Sequence, residues 1–155
     1  MIRWVLDRLF RRDVFPVWVT ERTFERWLLF KISDGRRVYL HHFFPQTDKW
    51  SHTHVRGLIS FGIWGAYSEE TWDKAGNSLG EKRWSAPWVR YFPHDFRHRF
   101  TVQHGESAWT LCVIDHDAQD WHFYTETGEA IPWHLRLLSD GHARGEDGEQ
   151  RLDDL

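Results

Sequence analysis

The sequence predicts an all-β fold, a sandwich or barrel of short strands, on three observations. The chain holds eleven Trp, eleven Phe and four Tyr against a single Met, and bulky rings suit a pleated, half-buried surface better than a helix interior. Its apolar runs are short and separated by turn sequences, about ten in all, which is the cadence of a sandwich or barrel. Its 155 residues are the size of one domain with one substantial core, and they show no internal repeat.

The first element is the exception. "MIRWVLDRLFRR" places Ile2, Val5, Leu6, Leu9 and Phe10 on one side of a helix and Arg3, Asp7, Arg8, Arg11 and Arg12 on the other. A short N-terminal helix docked on its own domain by the apolar side is expected. An arginine-rich polar face also suits a membrane surface, but strand-like sequence follows at once and favours docking. Asp7 and Arg8 interrupt what would have to be a signal-peptide core, and no apolar run could span a bilayer, so a cytoplasmic protein with no membrane partner is expected.

"RWLLFKIS" and "RRVYLHHFF" flank the Asp34-Gly35 turn as a hairpin. Further strands are predicted at "GLISFGIWGAYSEETW", "WVRYF", "RHRFTVQ", "AWTLCVI" and "WHFYT", punctuated by "KAGN", "QHGES", "HDAQD" and "ETGE". The end differs again: residues 139–155 carry six acidic and two basic side chains and almost nothing apolar. Such a segment cannot bury enough surface to offset its ordering entropy, so one domain over 1–138 and a flexible acidic tail over 139–155 are expected. With the chain at −3, the body without that tail is close to neutral, and its charges alternate in sign. That leaves no electrostatic footprint for nucleic acid.

Cys112 is the single cysteine, and "AWTLCVIDH" around it alternates like a buried strand. It reads as a small core residue ahead of a catalytic thiol. Chemistry is carried instead by histidine. His52 and His54 form "HTH", and side chains at i and i+2 of a strand share a face closely enough to hold one ion. In a chain with eleven histidines that pair alone is weak and needs a third ligand. "RHRFTV" supplies one, because its alternation puts His98 on the inward face with Phe100 and Val102. An inward histidine is either hydrogen-bonded as a neutral core residue or binds a metal.

"HTH" (His52 to His54), the following strand with Gly57, Gly62 and Gly65, and "PHDFRH" (Pro93 to His98) together resemble the cupins, small double-stranded β-helix or jelly-roll barrels. "YLHHFFPQTDKWSHTH", "GAYSEE" and "AWTLCVIDHDAQDWHFYTETGEAIPW" look more narrowly like small bacterial and phage cupins, so the resemblance runs from Val38 to Trp133. It implies a cupin barrel with His52, His54 and His98 as metal ligands. Asp95 stands where the family usually has glycine, and Arg56 to Ile59 stand where a ligand glutamate is usual. A three-histidine site is therefore implied, as in cupins of the thiol dioxygenase type that hold Fe(II). Three neutral imidazoles leave the ion its charge and open positions for substrate.

Arg56 replaces a usual aromatic residue. On a regular strand it shares the face of His52 and His54 and could clamp a substrate carboxylate or phosphate; after a bulge it turns outward to solvent. His104 lies in a turn and suits a surface role or one behind the ligands, while His41 and His42 are read as a solvated pair at a strand edge, with one as an alternative acid or base. Glu69 and Glu70 are expected to face solvent at the end of their strand. Tyr67, Tyr91 and most tryptophans are read as packing or rim residues. The resulting expectation is a metal-dependent cupin enzyme, first a non-haem Fe(II) oxygenase, with Mn, Ni or Zn as other ions, a small-molecule substrate and a homodimer. A non-catalytic metal- or small-molecule-binding module and a metal-free acid-base isomerase, epimerase or dehydratase are the alternatives.

Overall fold

The computed structural model describes residues 2–17, 21–47, 50–117 and 120–132, so the expected acidic tail and its boundary lie outside the described residues. A helix α1 (Ile2–Leu9) precedes β1 (Arg11–Val17), β2 (Glu21–Lys31), β3 (Arg37–Phe43), β4 (Gln46–Thr47), β5 (Ser51–His52), β6 (Leu58–Trp72), β7 (Ser78–Ser85), β8 (Trp88–Phe92), β9 (Arg97–Val102), β10 (Ala108–Ile114), β11 (His122–Tyr124) and β12 (Ala130–Pro132). The hydrogen-bonded order β1-β2-β3-β10-β6-β9-β5-β11-β12, with β7 and β8 also on β6 and β4 on β9, is all antiparallel. The all-β expectation with one short N-terminal helix is met.

Strand β6 joins the two halves of the barrel. Leu58 to Gly65 pair with β10, and Leu58 to Gly62 with β8, whereas Ala66 to Trp72 pair with β7 and Ser68 to Trp72 with β9. The change falls at a register shift opposite Trp109 and Thr110 and at Gly65, whose φ is +80° and where a Cβ would lie 1.7 Å from the Ser107 carbonyl oxygen. Only glycine fits that turn of the backbone. Beyond it Ala66, Tyr67, Ser68 and Glu69 are all buried, because both faces of the strand are covered there.

On β10 the alternation is regular: Ala108, Thr110, Cys112 and Ile114 point inward. Tyr39, Cys112 and Ile114 form one buried cluster with Leu28 and Leu58, and Tyr67, Val102 and Ala108 form another with Phe43, Trp84, Trp88 and Phe100. Cys112 is thus a core residue, though its Sγ lies 3.3 Å from Ser60 Oγ and Thr110 Oγ1 and 3.5 Å from His41 Nδ1.

The helix does lie on the sheet, held by polar contacts, with its apolar side only partly covered: Leu6 and Phe10 are half-buried. Arg3 pairs with buried Glu25 at 2.5 Å and Asp7 accepts a 2.8 Å hydrogen bond from Trp27 Nε1, while Val5 and Leu9 are 41% and 66% exposed. The polar groups of β2 under the helix need polar partners more than the short helix needs to bury its apolar residues. No helix among the described residues is long and apolar enough to cross a membrane.

Candidate metal centre

His98 comes from the start of β9, whose inward face is His98, Phe100 and Val102, as the alternation predicts. His52 ends β5 and is paired with His98 across the ladder. His54 is not on a strand. The chain leaves β5 after His52, and the His54 amide donates to the His94 carbonyl at 2.9 Å, so a loop contact and not strand periodicity aims its ring inward. One ligand-type atom from each of the three histidines lies within 4.8 Å of the others, with ring centroids 4.8 Å apart for His52 and His98 and for His54 and His98.

The surroundings fix their protonation. Burial first, then the charge of His98, drives His52 down to about 3, and burial with His98, His52 and Arg90 drives His54 well below the usual range. Both are neutral imidazoles near neutral pH, the form that ligates metals. Phe92, Phe96, Phe100 and Phe123 pack against the three rings, at centroid distances from 5.4 to 6.4 Å. This aromatic collar keeps the local dielectric low.

Behind His98 stands a residue that the sequence reading placed in solvent. Glu69 is 1% exposed; its Oε1 lies 2.6 Å from His98 Nδ1 and its Oε2 pairs with Arg90. A carboxylate accepts only, so Nδ1 carries a proton, and Nε2 is the ring nitrogen left for a ligand. Arg90 NH1 also donates to the Tyr67 hydroxyl at 3.1 Å, and burial together with Glu69 pushes the Tyr67 phenol up. Tyr67 is therefore more than a packing residue, whereas Tyr91 is exposed on the outside of the barrel. Glu70, the neighbour of Glu69, is half-buried and pairs with Arg99 at 2.5 Å. Neither glutamate stands free in solvent.

Nε2 of His54 and Nε2 of His98 are buried and have no hydrogen-bond partner among the described residues. Buried polar atoms are ordinarily satisfied, and two orphaned imidazole nitrogens within one three-histidine cluster are what a metal ion would satisfy. The donor set fits a transition ion: three nitrogen ligands, one oriented from behind by a carboxylate.

Arg56 is neither outward nor solvated. It is 6% exposed, and its NH1 donates to the His116 carbonyl and, at 3.4 Å, to that of Asp115, tying the loop after β10 to the loop before β6. His104 is exposed in the turn after β9. His41 and His42 are not at an edge, since β3 lies between β2 and β10. His41 is buried and held at about 3 by burial and Arg26, and His42 stacks on Trp109 with ring centroids 4.0 Å apart.

No family model and no curated protein matches this chain in sequence. Solved structures do match in fold. A cupin 2 conserved barrel domain protein from Rhodopseudomonas palustris is similar at a TM-score of 0.60 and 12% identity over 86% of each chain. The Fe(II) form of HppE with the alternative substrate (S)-1-HPP matches at a TM-score of 0.51 and 13% identity, over 67% of this chain and 56% of that one. The DMSP lyases RdDddP and RnDddQII match at 0.50 and 16%, over 63% and 51%. The chain thus spans about half the length of the last two. The fold is the cupin barrel, and within it three histidines form a cluster suited to a transition metal.

Proposed function

We propose that the barrel is a small metal-dependent enzyme that holds a divalent transition ion on His52, His54 and His98 and acts as a non-haem oxygenase on a small molecule. Fe(II) is the first choice of ion, with Mn, Ni and Zn as alternatives. The observation that carries this reading is the convergence of three imidazoles with buried, unpartnered Nε2 atoms on His54 and His98. When bound, the ion would supply a Lewis-acid centre with open positions at which substrate and oxygen meet. The chain's own residues do the rest: Glu69 keeps the proton of His98 on Nδ1, the phenylalanine collar excludes water, and Arg90 holds Glu69 and Tyr67 in place. HppE with Fe(II) and the DMSP lyases share the fold but carry different chemistry, so the reaction rests on the site and not on the architecture.

Metal-free acid-base catalysis is less well supported. A general base works best with a pKa near the operating pH, and His52 at about 3 is far from it. Elemental analysis before and after anaerobic Fe(II) loading, on the wild type and on His98→Ala, tests the proposal. Near-stoichiometric metal lost in the variant, followed by substrate-dependent oxygen uptake, is the expected result. Metal with no turnover on any substrate favours a binding module, and no metal at any loading removes the reading. The clamp role expected for Arg56 is tested with Arg56→Lys: a clamp raises KM at unchanged melting temperature, whereas a loop tie lowers the melting temperature.

A further inference from the structure

The strands that carry the histidines have a second face. Alternation along β9 sends His98 inward and leaves Arg97 and Arg99 on the outside, where Ser51 of β5, Trp72 of β6 and Tyr124 of β11 adjoin them. These side chains, with Glu70, Thr125 and Glu126, line a cleft of about 300 Å³. The guanidinium of Arg97 is flanked by two rings, 4.1 Å from the Tyr124 centroid and 5.0 Å from that of Trp72, and its Nε donates to Ser51 Oγ at 2.9 Å.

Glu70 acts on Arg97 through space but does not pair with it. Glu70 is held by Arg99 at 2.5 Å and by the Ser78 hydroxyl at 3.0 Å. Glu126 stands at the exposed rim. Among the described residues no carboxylate comes within ion-pair distance of Arg97. Two rings crowd the guanidinium carbon and the Nε is used, so the terminal N–H groups are the part that remains for a ligand. A guanidinium edge of that shape matches two oxygens of a planar or tetrahedral oxyanion. A stacked, partly desolvated arginine also gives up less hydration and less side-chain entropy on binding than one free in solvent.

We propose that this cleft is a binding site for a compact oxyanion, a phosphate or carboxylate group, seated on Arg97 between Trp72 and Tyr124 and separate from the histidine cluster inside the barrel. Glu126 at the rim opposes an extended polyanion and admits a small one. The site does not depend on a metal, so its test is made on metal-free protein.

Chelator-treated protein at pH 8, titrated with inorganic phosphate against chloride at constant ionic strength, is followed by amide and arginine Nε–H resonances. Saturable shifts confined to Ser51, Trp72, Arg97 and Tyr124 are expected. Arg97→Gln weakens binding by about ten-fold or more, the loss of one charged hydrogen-bonding group. Arg97→Lys, which keeps the charge but not the fork, gives an intermediate loss and decides the matter if the glutamine variant does not fold. Glu126→Gln strengthens binding. A parallel titration with acetate distinguishes the source: saturation by phosphate alone names a phosphate site, and saturation by both names a general carboxylate and phosphate site. Linear shifts with both anions, affinity unchanged in the folded Arg97 variants, or shifts centred on His52, His54 and His98 overturn the proposal.

Discussion

At Glu69 one buried carboxylate serves two partners, Arg90 on one oxygen and His98 on the other. Glu69→Gln keeps the shape and removes the charge, so a 10- to 100-fold loss of metal affinity is expected, the usual effect of losing a carboxylate behind a histidine ligand; competition against a chromophoric chelator measures it. Glu69→Ala also leaves the Arg90 guanidinium without its counter-charge, and thermal unfolding should show a cost of about 3 to 5 kcal/mol. The glutamate escaped the sequence because two consecutive acids after an apolar run read as a strand end. A signal was nevertheless there: "WVRYF" alternates, and puts Arg90 on the same inward phase as Trp88 and Phe92. An inward arginine calls for an inward acid. His41 sets a different prediction. Its folded pKa of about 3 lies below the ordinary 6.5, so the unfolded chain binds the extra proton. The stability this neutral histidine contributes is complete above pH 6.5 and is lost as the pH falls toward 3, by at most about 1.4 kcal/mol per unit. Replacing it with Gln should flatten the acid limb of a melting temperature against pH profile.

Among the elements, β6 depends most on a single residue. Gly65→Ala would bring a Cβ to 1.7 Å from a backbone oxygen at a φ of +80°, so soluble folded protein should not be recovered, as far-ultraviolet circular dichroism and gel filtration would show. An alanine at Gly80, which has a similar φ but open space around it, should fold with a small loss. The strands visible in the sequence were those with one buried face, such as β10 with its strict alternation. Strand β7 was not, since every residue in it except Trp84 is exposed and no period can be read from it. For the same reason the "HTH" argument reached the right neighbourhood through geometry that holds for His52 alone: His54 is aimed by the hydrogen bond to His94, a contact between loops that no spacing within the motif encodes.

For the whole molecule, the outside of the sheet made by β6 and β8 exposes Phe61, Ile63, Val89 and Tyr91, each at 40% or more. Apolar residues grouped in this way commonly mark an interaction surface, and the homodimer expected from the sequence is proposed to use it. Light scattering on the wild type should give a dimer mass and Val89→Lys with Tyr91→Lys a monomer; a monomeric wild type removes the proposal. The barrel itself was legible because aromatic strands alternate with turn residues from the first hairpin to the end of β11. The inside of the barrel was less so, because its polar partners sit far apart in sequence and meet only on folding, Glu69 with Arg90 from separate parts of the barrel and His41 with Cys112 across the neighbouring strands β3 and β10. One consequence follows from the continuity of β6 between the halves. Among the described residues both halves are laid on the one continuous strand β6, so they should not part like a clam shell. Heat should melt them in a single step with equal calorimetric and van't Hoff enthalpies. The amides of β6 should exchange with deuterium only at the rate of global opening. Any molecule that reaches the histidines would then do so without the two halves separating.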